Sequence, residues 1–192
     1  MNKNIEKWQE KWGDGFLRKV GIKLGQTVLD FGARNGCYSI PAAKIVGKNG
    51  VVYVLDKNFE SLDELMEKAK ASGLNNIQRI DTSGDLRIPL KGESIDVVLL
   101  YDVIHLVGRN DSSVVDNRRK LYDAVYGVTR ENALVSVYPM HLTTHTDVTS
   151  NEEIKKEIEE AGFKFEGEMY GELIHDDNMV KGHILNFRKI QK

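Results

Sequence analysis

The 192-residue chain has a single cysteine, Cys37, and three prolines. One thiol forms no internal disulfide and builds no cysteine-based zinc site, so a disulfide-stapled scaffold and a zinc ribbon are excluded. With so few prolines there is no proline-rich linker to mark a domain boundary. Excess positive charge is also missing. Lysine and arginine number 27 against 29 acidic residues, a net charge of −2, which offers no whole-surface attraction to nucleic acid or anionic lipid. No run approaches the roughly 20 apolar residues of a membrane span. The amino terminus, MNKNIEKWQEKWG, lacks the apolar core of a signal peptide. These absences predict a cytoplasmic protein without a membrane partner.

What is present is an alternation. Gln26–Phe31, Val51–Leu55, Ile77–Ile80, Ile95–Leu100 and Ala133–Tyr138 are short runs rich in Val, Ile and Leu. They read as strands, several buried on both faces as parallel sheets require. Between them lie helical patterns. Phe59–Ser72 places Leu62, Leu65, Met66 and Ala69 on one face, with Gly73 as a stop. Val114–Thr129 carries Leu121, Val125 and Val128 at similar spacing. Ser150 and Glu153 form a capping box ahead of Ile154, Ile158 and Ala161, with Gly162 as the end. Strand–helix alternation predicts an α/β sheet with helices on both faces. The last third departs from it: Phe163–Tyr170 and His183–Lys189 are strand-like, with only the polar stretch Gly171–Gly182 between them. An antiparallel closing pair at one sheet edge is expected. Upstream, Ile5, Trp8, Trp12, Phe16 and Leu17 form a helical stripe. Trp8 and Trp12 are expected to pack that helix on the domain, a lid over a substrate being the alternative.

The loop after the first strand carries the most information. Val28-Leu29-Asp30-Phe31-Gly32-Ala33-Arg34-Asn35-Gly36 runs from an apolar strand through an acidic residue and a glycine-bearing turn into the pattern Ile40–Val46. Glycine lets backbone approach a ligand closely, and a helix amino terminus offers free N–H groups. The next strand ends in Val54-Leu55-Asp56, where a carboxylate can accept from two ribose hydroxyls. This is a nucleoside-binding layout.

The spacing of Asp30, Gly32 and Gly36 resembles the acidic-x-Gly-x-Gly-x-Gly motif of class I S-adenosylmethionine-dependent methyltransferases, with Arg34 in place of the middle glycine. Asp56 resembles the family's ribose-binding acidic residue. Asp81-Thr82 resembles the segment bordering adenine, with Ser83 and Asp85 as alternatives for that contact. Ser94–His105 looks like the fourth-strand motif and Ala133–Tyr138 like the fifth. The terminal strand pair resembles the hairpin that sets this fold apart from an ordinary Rossmann domain. The resemblance implies a three-layer α-β-α sandwich around a seven-stranded, mostly parallel sheet with an antiparallel last strand. It implies one domain over 1–192: a helical segment 1–22, a cofactor-binding core 23–138, and a helix with the closing strand pair in 139–192. S-adenosyl-L-methionine is the implied co-substrate, bound by Asp30, Gly32, Ala33, Gly36, Asp56, Lys57, Asp81, Thr82 and Tyr101. Arg34 either points to solvent or pairs with the carboxylate of that co-substrate.

The implied reaction moves a methyl group to an acceptor, with His105, Asp102 and His141 as candidates for a base. Amide- and adenine-amino methylation is excluded because Tyr-Asp-Val-Ile follows Leu100, where those enzymes carry Asn or Asp before Pro-Pro. Cytosine-C5 and arsenic methylation are excluded for want of a Pro-Cys pair and of several thiols. A near-neutral chain favours a small-molecule acceptor over nucleic acid. His141, His145, His175 and His183, with Asp176 and Asp177, read as a dispersed polar set, and no metal is expected. Two other classes fit the same loop: a catalytically silent nucleoside-binding protein, and a nicotinamide-dependent oxidoreductase.

Overall fold

The computed structural model describes residues 3–84, 86–107, 114–142 and 149–191. Seven strands form one sheet in the order β3-β2-β1-β4-β5-β7-β6: β1 is Thr27–Phe31, β2 Val51–Asp56, β3 Ile77–Asp81, β4 Ile95–Tyr101, β5 Thr129–Tyr138, β6 Phe163–His175 and β7 Asn178–Lys189. The helices are α1 (Lys3–Lys7), α2 (Gly13–Val20), α3 (Ser39–Val46), α4 (Phe59–Ala71), α5 (Val114–Val128) and α6 (Asn151–Glu160). Among the described residues no helix is long and apolar enough to cross a membrane. The chain divides into two compact units, Met1–Gly84 with Gly171–Gly182, and Asp85–Tyr170 with His183–Lys192.

In the first unit β1 pairs parallel with β2, and β2 with β3, in the register Val28↔Val52 and Val54↔Arg79. Val28, Leu29, Val52 and Val54 are wholly buried, as strands covered on both faces must be. Helix α4 starts at Asn58, whose side chain accepts from the Ser61 N–H, and buries Leu62, Leu65 and Ala69. Met66, expected on the same face, is only half-buried.

The N-terminal stripe is interrupted. Trp8–Trp12 is one turn of π-helix, in which the Gly13 N–H donates to the Trp8 carbonyl five residues back. The extra residue in that turn advances the buried face from Trp8 to Gly13, Phe16, Leu17 and Val20. Trp8 is therefore fully buried while Trp12 is 44% exposed. A Cβ on Gly13 would stand 2.7 Å from Pro41 Cγ and 2.9 Å from the Trp8 carbonyl, so only glycine permits this approach of α2 to α3.

In the second unit β4 and β5 run parallel, from Val97↔Leu134 to Tyr101↔Tyr138, with an irregularity near Ile95 that accommodates Asn132 at a φ of 60°. Antiparallel pairing of β5 with β7 places Leu134 opposite Arg188. Helix α6 has the expected capping box, Ser150 and Glu153 each closing on the other's backbone. Arg118 of α5 donates to both carboxylate oxygens of Glu157 on α6, at 2.8 and 2.5 Å.

The closing strands run further than their sequence suggested. They continue through Gly171–Gly182 to a two-residue turn at Asp176-Asp177, with φ of 42° and 64°. Two successive left-handed residues form the turn that matches strand twist in a hairpin. Of the polar side chains that suggested a loop, Glu172, Asp176, Asp177, Asn178 and Lys181 are exposed on the strands and at this turn, whereas His175 is largely shielded.

Candidate functional site

In the first unit the site grows from the end of β1. Asp30 is buried, and its carboxylate accepts from the Ser39 hydroxyl at 2.5 Å. Burial pushes its pKa up to about 7; the Ser39 hydrogen bond opposes the rise and the neighbouring Asp56 charge adds to it. The chain then turns through Gly32 (φ 82°), Arg34 (φ 47°) and Gly36 (φ 84°). The N–H groups of Gly32 and Ala33 both donate to the Leu55 carbonyl, at 2.7 and 3.1 Å. A Cβ on Gly36 would meet Leu65 Cγ at 2.7 Å, so α4 seals the loop from beneath.

Asp56, at the end of β2, accepts from the Arg34 backbone N–H at 2.8 Å through Oδ2 and from the Asn58 N–H at 2.9 Å through Oδ1. An ionised carboxylate has about four lone-pair sites. Two are used by the loop, which leaves one on each oxygen for a pair of neighbouring hydroxyls. Two acceptor sites so placed match a pair of neighbouring hydroxyls such as a ribose carries. Lys57 is exposed beside it. Thr82 is buried, its Oγ1 accepting from the Gly84 N–H at 3.3 Å. Asp81 is held by Arg79 Nε at 2.6 Å, and the same guanidinium also pairs with Asp63. Asp85 lies outside the described residues.

The loop is braced from the N-terminal helix. Trp8 Nε1 donates to the Cys37 carbonyl at 2.9 Å, and Gln9 Nε2 to the Gly36 carbonyl at 3.2 Å. Trp8 thus packs the helix on the glycine loop. Burial pushes the Cys37 thiol up to about 11, so it is no nucleophile at neutral pH. The hairpin tip meets the same loop. Arg34 Nη1 stands 3.0 Å from Asp176 Oδ1, and the Tyr38 hydroxyl donates to the Ile174 carbonyl at 2.6 Å.

In the second unit a cluster forms where β4 and β5 end. Asp102 has a φ of 53°, and its N–H donates to the Tyr138 carbonyl at 3.0 Å. Its Oδ1 lies 2.5 Å from His141 Nδ1 and 3.3 Å from His105 Nδ1. The two imidazole rings are 4.4 Å apart between centroids. The Tyr138 hydroxyl donates to Met140 Sδ at 2.5 Å; burial and the Asp102 charge raise its pKa, keeping it protonated. Tyr101 is buried, its hydroxyl 2.8 Å from Ser136 Oγ, so it offers a ligand its ring rather than its hydroxyl. His145 lies outside the described residues.

Comparison with known proteins decides the family. The sequence model of the methyltransferase domain matches residues 28–129, from β1 into β5. The chain belongs to the methyltransferase family.

A demethylmenaquinone methyltransferase of Geobacillus kaustophilus is 30% identical to this chain over 90 residues, 47% of the chain and 38% of that relative. A probable cobalt-precorrin-6B C(15)-methyltransferase of Saccharolobus solfataricus is 28% identical over 123 residues, 62% of each. The matches therefore span less than two thirds of these relatives' lengths. A SAM dependent methyltransferase from Aquifex aeolicus shares the fold, with a TM-score of 0.74, 20% identity, and 99% of both chains covered. The first unit gathers Asp30, Gly32, Ala33, Gly36 and Asp56 around one loop; the second brings the other two candidates, His105 and His141, to Asp102. Sequence reading missed Ser39 and Gln9, and placed Asp176 only in a dispersed polar set. For Asp176 a signal existed, since two adjacent acidic residues between strand-like runs are turn formers.

Proposed function

We propose that the protein transfers the methyl group of S-adenosylmethionine to a small-molecule acceptor in the cytoplasm, with residues 1–192 acting as one domain. The observation that carries this reading is Asp56, held by two loop N–H groups at the end of β2 with one lone pair on each oxygen for the ribose hydroxyls. Gly32, Ala33 and Gly36 let the backbone approach the ligand, with Asp30 beneath them. Lys57, Asp81, Thr82 and Tyr101 complete the proposed binding set.

S-adenosylmethionine supplies a methyl group already activated on a positive sulfur. The protein's part is then alignment and exclusion of water. Asp56 fixes the ribose, and the glycine turn fixes the chain between β1 and α3. His105, Asp102 and His141 follow the fourth and fifth strands, whose carboxyl ends form the edge where open α/β sheets bind ligands. A small-molecule acceptor accords with the net charge of −2 and with relatives named for demethylmenaquinone and precorrin methylation. A fibrillarin-like rRNA/tRNA 2'-O-methyltransferase of Pyrobaculum aerophilum, 32% identical over 88 residues, keeps RNA as the competing acceptor.

Titration calorimetry with S-adenosylhomocysteine and NAD side by side tests the reading. Saturable binding of S-adenosylhomocysteine alone supports it, and saturation by NAD alone replaces it with an oxidoreductase. The second reading, a silent binding protein, is motivated by Arg34, which adopts a left-handed φ of 47° at a glycine position and pairs with Asp176. Tight S-adenosylhomocysteine binding without methyl transfer to any acceptor, small molecule or RNA, would favour it.

A further inference from the structure

Resting on the methyltransferase reading, we propose that Gly171–Gly182, the outer part of the closing hairpin, is a strap over the glycine loop. It swings on Gly171 and Gly182 to admit S-adenosylmethionine and latches through Arg34 and Tyr38 to retain it.

The hinge is marked by glycine. β6 and β7 are continuous strands, yet Gly171–Gly182 belongs to the first unit and the remainder of both strands to the second. Glycine stands at the change on each strand, five residues before Asp176 on β6 and five after Asp177 on β7. Glycine in a strand interior costs stability, so its presence needs a reason. At Gly171 the closed conformation gives none: a Cβ there would meet no atom within 4 Å, and its φ is not left-handed. What glycine still supplies is freedom to take up a second backbone conformation, as a hinge must.

Two kinds of contact hold the strap. Leu173 and Ile174 are buried, which makes the closed form the resting one. The latch is polar. Asp176 Oδ1 accepts from Arg34 Nη1 at 3.0 Å, the Ile174 carbonyl from the Tyr38 hydroxyl at 2.6 Å, and the Asp177 carbonyl from Asn4 Nδ2 at 3.5 Å. The Asn178 side chain donates to the Asp176 carbonyl at 2.8 Å, so the tip moves as one piece. Latch and ribose acceptor share a residue: Arg34 gives its guanidinium to Asp176 and its backbone N–H to Asp56. Both contacts need Arg34 at its left-handed φ of 47°, which a side chain opposes. A ligand on Asp56 and the strap on Arg34 therefore favour each other. Cys37, beside Tyr38, reports the tip. Burial and then the Asp177 charge raise its thiol pKa to about 11, so lifting the tip raises its reactivity.

The experiment follows S-adenosylhomocysteine binding to the full chain by stopped-flow tryptophan fluorescence, which gives association and dissociation rates. Gly171→Ala should slow both about threefold, with Kd nearly unchanged and Tm no lower, because the methyl meets nothing and only narrows the hinge. Gly167→Ala is the control. A Cβ there also meets nothing within 4 Å, but the residue lies outside the strap, so both rates should stay as they are. Tyr38→Phe and Asp176→Asn should each speed both rates by about two- to fivefold, the range of one weak polar contact. Without ligand, reaction of Cys37 with dithionitrobenzoate should follow the same order, slower in Gly171→Ala and faster in Tyr38→Phe. Equal rates in Gly171→Ala and Gly167→Ala overturn the proposal, as do unaltered rates in both latch variants. If the unmutated protein binds no S-adenosylhomocysteine, the methyltransferase reading falls instead. The Cys37 series then decides the strap by itself: the stated order supports it, and uniform reactivity overturns it.

Discussion

Asp56 and Asp102 both sit where a buried parallel strand ends, and each is held differently. Asp56 is fixed by backbone N–H groups from Arg34 and Asn58, donors that neither titrate nor rotate away. Asp102 is met by the imidazole Nδ1 atoms of His141 and His105, side-chain groups on mobile rings. Both regions hold a non-glycine residue at positive φ, Arg34 at 47° and Asp102 at 53°. In the first region the left-handed turn aims an N–H at Asp56; in the second it aims the carboxylate itself. A carboxylate on backbone donors is suited to hold a ligand, and one on side-chain bases is suited to move a proton. Substitutions in the first unit should accordingly change affinity and stability, and substitutions at the second cluster should change rate.

The largest effect expected outside the imidazole cluster is at Asp30. Its pKa of about 7 means the folded state keeps a proton that the unfolded chain has already lost. The folded state binds more protons between about pH 4 and 7, so stability falls as pH rises through that window, by up to about 4 kcal/mol, and levels off above it. Urea unfolding across this range should show the fall, and Asp30→Asn should flatten it. An identical slope in the variant would mean that Asp30 is not the titrating group.

Removing Asp56 comes next. Asp56→Ala should weaken S-adenosylhomocysteine binding by about 1.5–3 kcal/mol, the range for hydrogen bonds to charged groups, as read by calorimetry. On the sequence alone the unliganded protein should hardly notice. The structure adds a cost of about 1 kcal/mol or more, because the Arg34 and Asn58 N–H groups lose their acceptor. Unchanged affinity would break the contrast between a holding and a proton-moving carboxylate.

Gly13→Ala tests the brace behind the glycine loop. The added methyl meets Pro41 and the Trp8 carbonyl, so thermal unfolding should report a loss of about 1–3 kcal/mol. The smallest effect belongs to the Arg34–Asp176 pair, whose side chains are 63% and 59% exposed. Asp176→Asn should cost less than about 1 kcal/mol, and less still at high salt. Arg34→Gly removes the same pair and also relieves the backbone, so its stability should sit close to that of the unmutated protein. If Asp176→Asn tightens S-adenosylhomocysteine binding while leaving adenosine binding alone, Arg34 serves the ligand's carboxylate once Asp176 releases it.

Much of the framework could be read locally. The strand starts at Val51, Ile77 and Ile95 and the cap of α6 at Ser150 depend on residues within a few positions, and the structure places them as read. The ends drifted where a local rule met a distant partner. β5 starts at Thr129 rather than Ala133, because Asn132 takes up an irregularity in its pairing with β4. Trp12 left the buried face because one π-turn lengthened the spacing, which a fixed helical period does not anticipate. Of the site, the glycine turn and Asp56 were legible because both are written in consecutive residues.

By itself the sequence determined the alternation of strands and helices, the glycine turn after β1, and the acidic residue ending β2. Periodicity, turn chemistry and capping act between neighbours along the chain. Only the tertiary structure decided which side chain each acidic residue meets. It brought Asp176 to Arg34 across 142 positions and His141 to Asp102 across 39. It also buried Asp30 under the loop, setting its proton affinity. Charge pairing and desolvation depend on distance in space, and spacing along the chain carries no record of that distance until the sheet is formed.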